Sequence, residues 1–310
     1  METWLPFGVG LVLLCVGGDL LVRGAVRLAD RLGISPLVIG LTLVGFGTST
    51  PELVTSVQAA LSGAPGIAYG NIVGSNIANI LLILGISALI CPIAVTPMAL
   101  RRDAGVMLAA ALLFAGLALA GPLGRVAGLG FLLLLVAYLV LAVWQERRAA
   151  PAPAAPTDLP ARGHPARDIA LTLAGLAATL AGGTLLVRGA IGIAAALELP
   201  ETLVGLTIVA VGTSLPELVT SVVASLRRQT DVAFGNIVGS NIYNVLAIGG
   251  ATATLSPGAV PSRIASFDNL LMIGASVLLV LVSATRLRIE RWEGGLLLAG
   301  YVGYLGLIRP

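Results

Sequence analysis

Apolar residues run through this chain in blocks, separated by short stretches of Arg, Asp, Pro and Gly. The blocks fall near 5–30, 36–61, 67–90, 103–120, 125–145, 168–196, 201–226, 231–255, 267–285 and 293–308. Runs of about 18 or more apolar residues are long enough to cross a bilayer as helices. The pattern therefore predicts an all-α integral membrane protein with about ten transmembrane helices. Polar positions inside the blocks are few, and they gather in the second, third, seventh and eighth.

Those polar positions are duplicated. Residues 47–57 read GTSTPELVTSV and residues 212–222 read GTSLPELVTSV, and GNIVGSNI follows at both 70–77 and 235–242. Across 40–85, 29 of 46 residues match the residue 165 positions further on, without a gap. Between the fifth and sixth blocks, 149–167 is rich in Pro and Ala and carries Asp158, Arg162 and His164, a composition that buries nothing and predicts a solvated linker. The linker divides a first five-helix repeat, 1–148, from a second, 168–310, with the repeated segments at 36–90 and 201–255. An odd number of spans per half makes the second copy enter the membrane from the opposite side, giving inverted-topology repeats.

Composition agrees with the block pattern and adds an orientation. Hydrophobic residues make up 57% of the chain and charged residues 11%, and the mean hydropathy is +1.00. All 18 basic residues are arginine. With the termini outside, only Arg125, Arg188, Arg263 and Arg309 of the 18 fall towards the outer side, so a cytoplasmic linker is expected. The basic residues sit at the ends of apolar runs and form no aromatic-interleaved stripe, which argues against a nucleic-acid partner. The first block does not read as a signal peptide, because no basic region precedes it and Asp19, Arg23 and Arg27 follow within the same helix. Cys15 and Cys91 lie in apolar blocks without metal-ligand spacing and read as small buried hydrophobes.

Ionisable residues at membrane depth are costly and mark ion or substrate paths. Glu52 and Glu217 stand in mid-block with no symmetric basic partner. On a helix, Thr48 and Ser49 share a face with Glu52, and Thr213 and Ser214 share one with Glu217. Pro51 and Pro216 each remove an amide proton and crowd the carbonyl four residues back, so free backbone oxygens are expected at 45–48 and 210–213. Asn71, Ser75 and Asn79 step by four along one face, as do Asn236, Ser240 and Asn244. Facing copies would assemble two carboxylates with hydroxyls, amides and carbonyls, an all-oxygen site suited to a hard cation. Six to eight flexible oxygens around two negative charges fit Ca2+ better than Mg2+, and the lack of His and Cys disfavours zinc or copper. Asp19 and Arg23 are spaced for a helix ion pair, while Asp103 and Asp268 near helix ends suggest a dipole or interface role.

The doubled GTS(T/L)PEL and GNIVGSNI(A/Y)N segments resemble the alpha repeats of the calcium/cation antiporter superfamily, most closely its prokaryotic sodium/calcium exchanger branch. The resemblance covers nearly the whole chain. It implies that the second, third, seventh and eighth helices form the site, with Glu52 and Glu217 as calcium-binding carboxylates and the backbone of Thr48 and Thr213 also on calcium. Ser49, Ser75, Ser214 and Ser240, with the carbonyls of Gly45 and Ala210, would fall on sodium positions, and Asn79 and Asn244 would line the centre. Some members carry an aspartate where this chain has Asn244, and potassium coupling relies on an acidic residue there, so potassium dependence is not expected. The short linker leaves no room for the family's large regulatory loop.

The resulting expectation is a multi-pass cell-membrane antiporter, not an enzyme, that exchanges Na+ for Ca2+ by alternating access and electrogenically. Both ions are substrates, and no cofactor is expected. A proton-coupled exchanger and a passive cation channel are the alternatives. An intramembrane hydrolase built on Ser49 or Ser214 would lack a membrane-embedded His or Lys as base.

Overall fold

The architecture follows from a computed structural model, which describes residues 4–148, 165–196 and 210–307. The helices are α1 (Trp4–Leu32), α2 (Pro36–Thr48), α3 (Thr50–Leu61), α4 (Pro65–Ile90), α5 (Ala99–Ala120), α6 (Arg125–Arg148) and α7 (Pro165–Ala196). They continue as α8 (Ala210–Thr213), α9 (Leu215–Leu226), α10 (Thr230–Leu255), α11 (Ile264–Arg286) and α12 (Arg291–Leu307).

Seven of these helices are long and apolar enough to cross a membrane, and α2 with α3 forms an eighth span bent by 45°. The seventh expected block is described only from Ala210 onward, and the tenth is a 17-residue helix, just short of the usual span length. The expected linker lies outside the described residues up to position 164, and α7 already begins at Pro165, three residues before the predicted block. The chain is a multi-pass, mostly helical membrane protein.

Burial sorts the spans into a centre and a rim. The most apolar 18-residue window of α10 is wholly buried and that of α4 is 78% buried, whereas those of α6 and α7 are each 28% buried. Leucine and valine side chains at the rim, such as Leu133 and Val140, point outward as a lipid-facing surface does. The central pair carries the repeated GNIVGSNI segments. At the rim, α1 and α7 pack along one another through glycines seven residues apart, Gly10, Gly17 and Gly24 against Gly175, Gly182 and Gly189. A Cβ on Gly17 would sit 2.6 Å from the Thr179 amide nitrogen and one on Gly182 2.7 Å from that of Leu14, so only glycine permits this approach.

Several charged side chains are paired. Asp19 binds Arg23 at 2.9 Å, the expected helix pair, and also contacts Arg227. Asp168 of α7 accepts both Nε and Nη2 of Arg31 from α1, at 3.1 and 2.7 Å. Asp103 is fully buried rather than placed at an interface. Arg102 Nε and Nη2 donate to it at 2.6 and 3.0 Å, and the Tyr138 hydroxyl donates to it at 2.9 Å. The expected dipole role gives way because α5 begins four residues before Asp103 and carries it inside.

The 165-residue offset reappears in the backbone. A π-helical turn runs through Asn79–Leu84 in α4 and another through Asn244–Gly249 in α10. A second pair opens α5 at Ala99–Ala104 and α11 at Ile264–Asp268. Two short antiparallel contacts obey the same relation. β1 (Ile93–Ala94) pairs with β2 (Arg288–Ile289), and Leu123 pairs with Gly258, which to within one residue are the positions obtained by exchanging the halves.

Candidate cation-binding site

Ser49 and Ser214 hold equivalent kinks, with backbone angles of φ −80°, ψ 6° and φ −89°, ψ 9°. Each comes two residues before the proline of the TPEL or LPEL sequence, which cannot donate to a continuing helix. A new helix therefore starts at Thr50 and again at Leu215, placing Glu52 and Glu217 in first turns where the helix dipole favours negative charge. Both glutamates are 1% exposed, and among the described residues neither has a basic partner.

The halves exchange their hydrogen bonds. Ser49 Oγ donates to Glu217 Oε1 at 2.9 Å, and Ser214 Oγ donates to Glu52 Oε1 at 3.0 Å. Helical spacing places each serine on the face of its own glutamate, yet it binds the glutamate of the other half. Ser75 Oγ lies 3.5 Å from Ser214 Oγ, joining α4 to the same cluster. Because a serine that donates its one proton keeps its lone pairs, each hydroxyl can face a cation while still holding a carboxylate.

Asn71 and Asn236 act as straps. Asn71 Nδ2 donates to the Glu52 carbonyl at 3.3 Å and to Ser56 Oγ at 2.9 Å, while its Oδ1 accepts from Thr213 Oγ1 at 3.4 Å. Asn236 repeats this on the Glu217 carbonyl at 3.2 Å, Ser221 at 2.9 Å and Thr48 at 3.2 Å. Each asparagine thus fixes its own half's glutamate helix to the other half's threonine, which its helical position alone did not reveal. Ser56 and Ser221, which packing would also have explained, complete these straps.

One expectation fails at Gly45. Its carbonyl is not left free, because the helix continues as far as Ser49, whose N–H donates to it at 3.1 Å. Ser240 Oγ donates to it from the other half at 3.4 Å. The amide missing at Pro51 is the one that would have served Gly47. Ala210, at the equivalent position, opens α8 at the edge of the described residues.

Asn79 and Asn244 each begin a π-helical turn, an irregularity often found at functional sites. Asn79 Nδ2 donates to Asn241 Oδ1 at 3.2 Å, and Asn241 Nδ2 reaches Met107 Sδ at 3.5 Å. The only sign of Asn241 in the sequence was its place in the duplicated GSN triplet. That sign is ambiguous, since its counterpart Asn76 turns back onto the Ile72 carbonyl at 2.7 Å.

Oε2 of Glu52 and of Glu217 and Oδ1 of Asn79 and of Asn244 are four of the eleven buried side-chain oxygens that lack a hydrogen-bond partner among the described residues. They form two pairs at the repeat offset. Buried acceptors are ordinarily satisfied, and carboxylate and amide oxygens left without donors are free to coordinate a cation. Among the described residues no three His, Cys, Asp or Glu side chains cluster. The site's charge therefore comes from two carboxylates, and its other ligands are neutral oxygens.

Residues 3–144 and 168–308 match the family described as Sodium/calcium exchanger protein. Antiporter CaxA of Alkalimonas amylolytica is 41% identical over 308 residues, covering 97% of this chain and 96% of the relative. Sodium/calcium exchanger MaX1 of Methanosarcina acetivorans is 35% identical over 334 residues, covering 96% and 95%. The solved structure of the sodium-calcium exchanger NCX_Mj superposes with a TM-score of 0.88 at 33% identity, covering 100% of this chain and 99% of that one.

Proposed function

Because the chain belongs to the sodium/calcium exchanger family, for which cation and Ca2+ antiport is the supported activity, we propose that it exchanges Na+ for Ca2+ by alternating access and electrogenically. The observation that carries this reading is the set of four donor-free buried oxygens on Glu52, Glu217, Asn79 and Asn244. Glu52 and Glu217 bind Ca2+ together with backbone oxygens of Thr48 and Thr213, and their two charges balance one divalent ion. Ser49, Ser75, Ser214 and Ser240, with the carbonyl of Ala210, take Na+ when calcium has left. Asn79 and Asn244 line the centre.

The ten spans form two inverted five-helix repeats with outer termini and a cytoplasmic linker. The exchanged serine–glutamate bonds and the paired backbone contacts support this arrangement, since the first recur at the 165-residue offset and the second recur to within one residue of it. The repeats rock about the shared site to expose it to one side and then the other. A cysteine placed at Thr157, with Cys15 and Cys91 replaced, should resist an impermeant thiol reagent applied to intact cells and react after lysis. Ready labelling from outside would reverse the topology.

Calcium uptake into proteoliposomes, with sodium, potassium and pH gradients imposed separately, tests the coupling ion. Only an outward sodium gradient should drive it. Uptake driven by a pH gradient alone would establish proton coupling instead, and flux without any counter-ion would establish a channel. With more oxygen ligands than two monovalent ions need, three Na+ for one Ca2+ moves one net charge per cycle, worth about 2.3 kcal/mol per 100 mV. An inside-positive potential should then accelerate uptake as sodium leaves. Indifference to potential at a fixed sodium gradient would mean two-for-one exchange.

A further inference from the structure

Around the central amides the two halves hold the same residues and use them differently. Asn79, Asn76, Met107 and Ile72 have Asn244, Asn241, Met272 and Ile237 as counterparts 165 positions on, each of the same type. All eight are buried. Asn241 reaches across the halves: its Oδ1 accepts from Asn79 Nδ2 at 3.2 Å and its Nδ2 donates to Met107 Sδ at 3.5 Å. Asn76 does not reach across, and its Nδ2 donates to the Ile72 carbonyl four residues back at 2.7 Å.

Separation of the helices does not explain this difference. The stretch of α10 that carries Asn241 lies against the π-helical turn of Asn79 and against α5, which carries Met107. The stretch of α4 that carries Asn76 lies in the same way against the π-helical turn of Asn244 and against α11, which carries Met272. Sequence and packing are duplicated here, and the hydrogen bonds are not. A buried amide needs partners in either arrangement, so the set of residues unused in one half is a second, ready-made arrangement.

We propose that Asn76 and Asn241 are positioning residues that work in alternation, each holding the other half's central amide towards the cation in one of the two access states. In the state seen here, Asn241 ties down Asn79 Nδ2 and so directs the donor-free Asn79 Oδ1 to the ion. Both ends of the Asn241 amide are engaged by protein, so it positions a ligand and is not one itself. In the opposite state Asn76 leaves the Ile72 carbonyl, accepts from Asn244 Nδ2 and donates to Met272 Sδ, while Asn241 folds back onto the Ile237 carbonyl. The inference rests on the alternating-access reading, under which two inverted halves that exchange conformations interchange the sides of the membrane. Each arrangement makes the same kinds of hydrogen bond, so neither state is strongly preferred on this account.

The test measures calcium uptake in right-side-out and inverted membrane vesicles, so that each face meets calcium in turn. Asn241→Leu should raise KM for calcium about fivefold at one face, the factor one neutral hydrogen bond supplies, and should not raise it at the other. Asn76→Leu should do the same at the opposite face. Met107→Leu and Met272→Leu, which conserve core volume, should follow their asparagines with smaller shifts and carry the comparison if an asparagine variant fails to fold. Hydrogen exchange on the purified full-length protein without sodium or calcium needs no transport. There the two asparagine variants should move the exchange of α4 and α10 amides in opposite directions, and the double variant should return it towards the parental pattern. A merely structural role would make the two substitutions add. KM shifts alike at both faces, no shift at either, or a double variant further from the parent than each single one would overturn the proposal. Parental uptake that ignores sodium would instead refute the exchange reading, and would leave the sided comparison of the variants intact.

Discussion

Glu52→Gln, and separately Glu217→Gln, should abolish sodium-driven calcium uptake. Each substitution removes one of two formal charges facing a divalent ion in a site where neither glutamate is more than 1% exposed. A unit charge at about 4 Å interacts with another by about 4 kcal/mol at an effective dielectric near 20, so calcium affinity should fall at least about a thousandfold. The fold should persist, because a glutamine oxygen can still accept the hydroxyl proton that Ser214 gives Glu52 or that Ser49 gives Glu217. Thermal melting separates the two effects. Each variant should melt cooperatively and lose the upward shift that calcium confers by binding only the folded state. Near-parental exchange in either variant would place the site elsewhere.

Asp103→Ala should produce the largest loss of stability. It leaves the Arg102 guanidinium, 8% exposed, without its carboxylate and strips the Tyr138 hydroxyl of its acceptor. Breaking a buried ion pair from one side costs about 3–5 kcal/mol, whereas removing both charges together is often close to neutral. The double variant Arg102→Met with Asp103→Ala should therefore recover most of the loss. Asp268 supplies an internal control. It occupies the matching position, but its neighbours at the offset are Phe267 and Gly303 in place of Arg102 and Tyr138. Asp268→Ala should change the melting temperature little. If the two aspartates respond alike, the ion pair does not account for the stability of α5 against α6.

Much of the site was legible because the chain states it twice. The doubled PEL segments located the glutamates, and the prolines located the breaks at Ser49 and Ser214. The apolar blocks located most of the helices to within a few residues. What stayed hidden depends on contacts between halves. Nothing local to residues 48–52 says that Ser49 will bind Glu217 and not its own neighbour, because that choice is made by how α3 and α9 approach. The same holds for Asn241, which meets Asn79 while its counterpart Asn76 folds back on its own helix. Asp103 was misread for a related reason. A helix boundary placed four residues late put it at a membrane surface, whereas α5 takes it inside beside a tyrosine 35 positions away. The π-helical turns at Asn79 and Asn244 leave no period that an apolar pattern would register.

The exchanged serine–glutamate bonds also bear on descent. Since each half supplies the hydroxyl that holds the other's carboxylate, neither half owns a complete set of ligands. After a duplication, one copy commonly drifts while its twin keeps the original task. Here that freedom is withheld around the two glutamates, because a change at Ser49 is felt at Glu217 and a change at Ser214 at Glu52. The 29 matches among 46 positions across 40–85 are consistent with this mutual dependence. At positions such as Arg102 and Gly105, with Phe267 and Leu270 as their twins, the copies have become individuals. The ancestral half is thus best preserved where it still has to fit its own image, and new properties are to be sought where it no longer does.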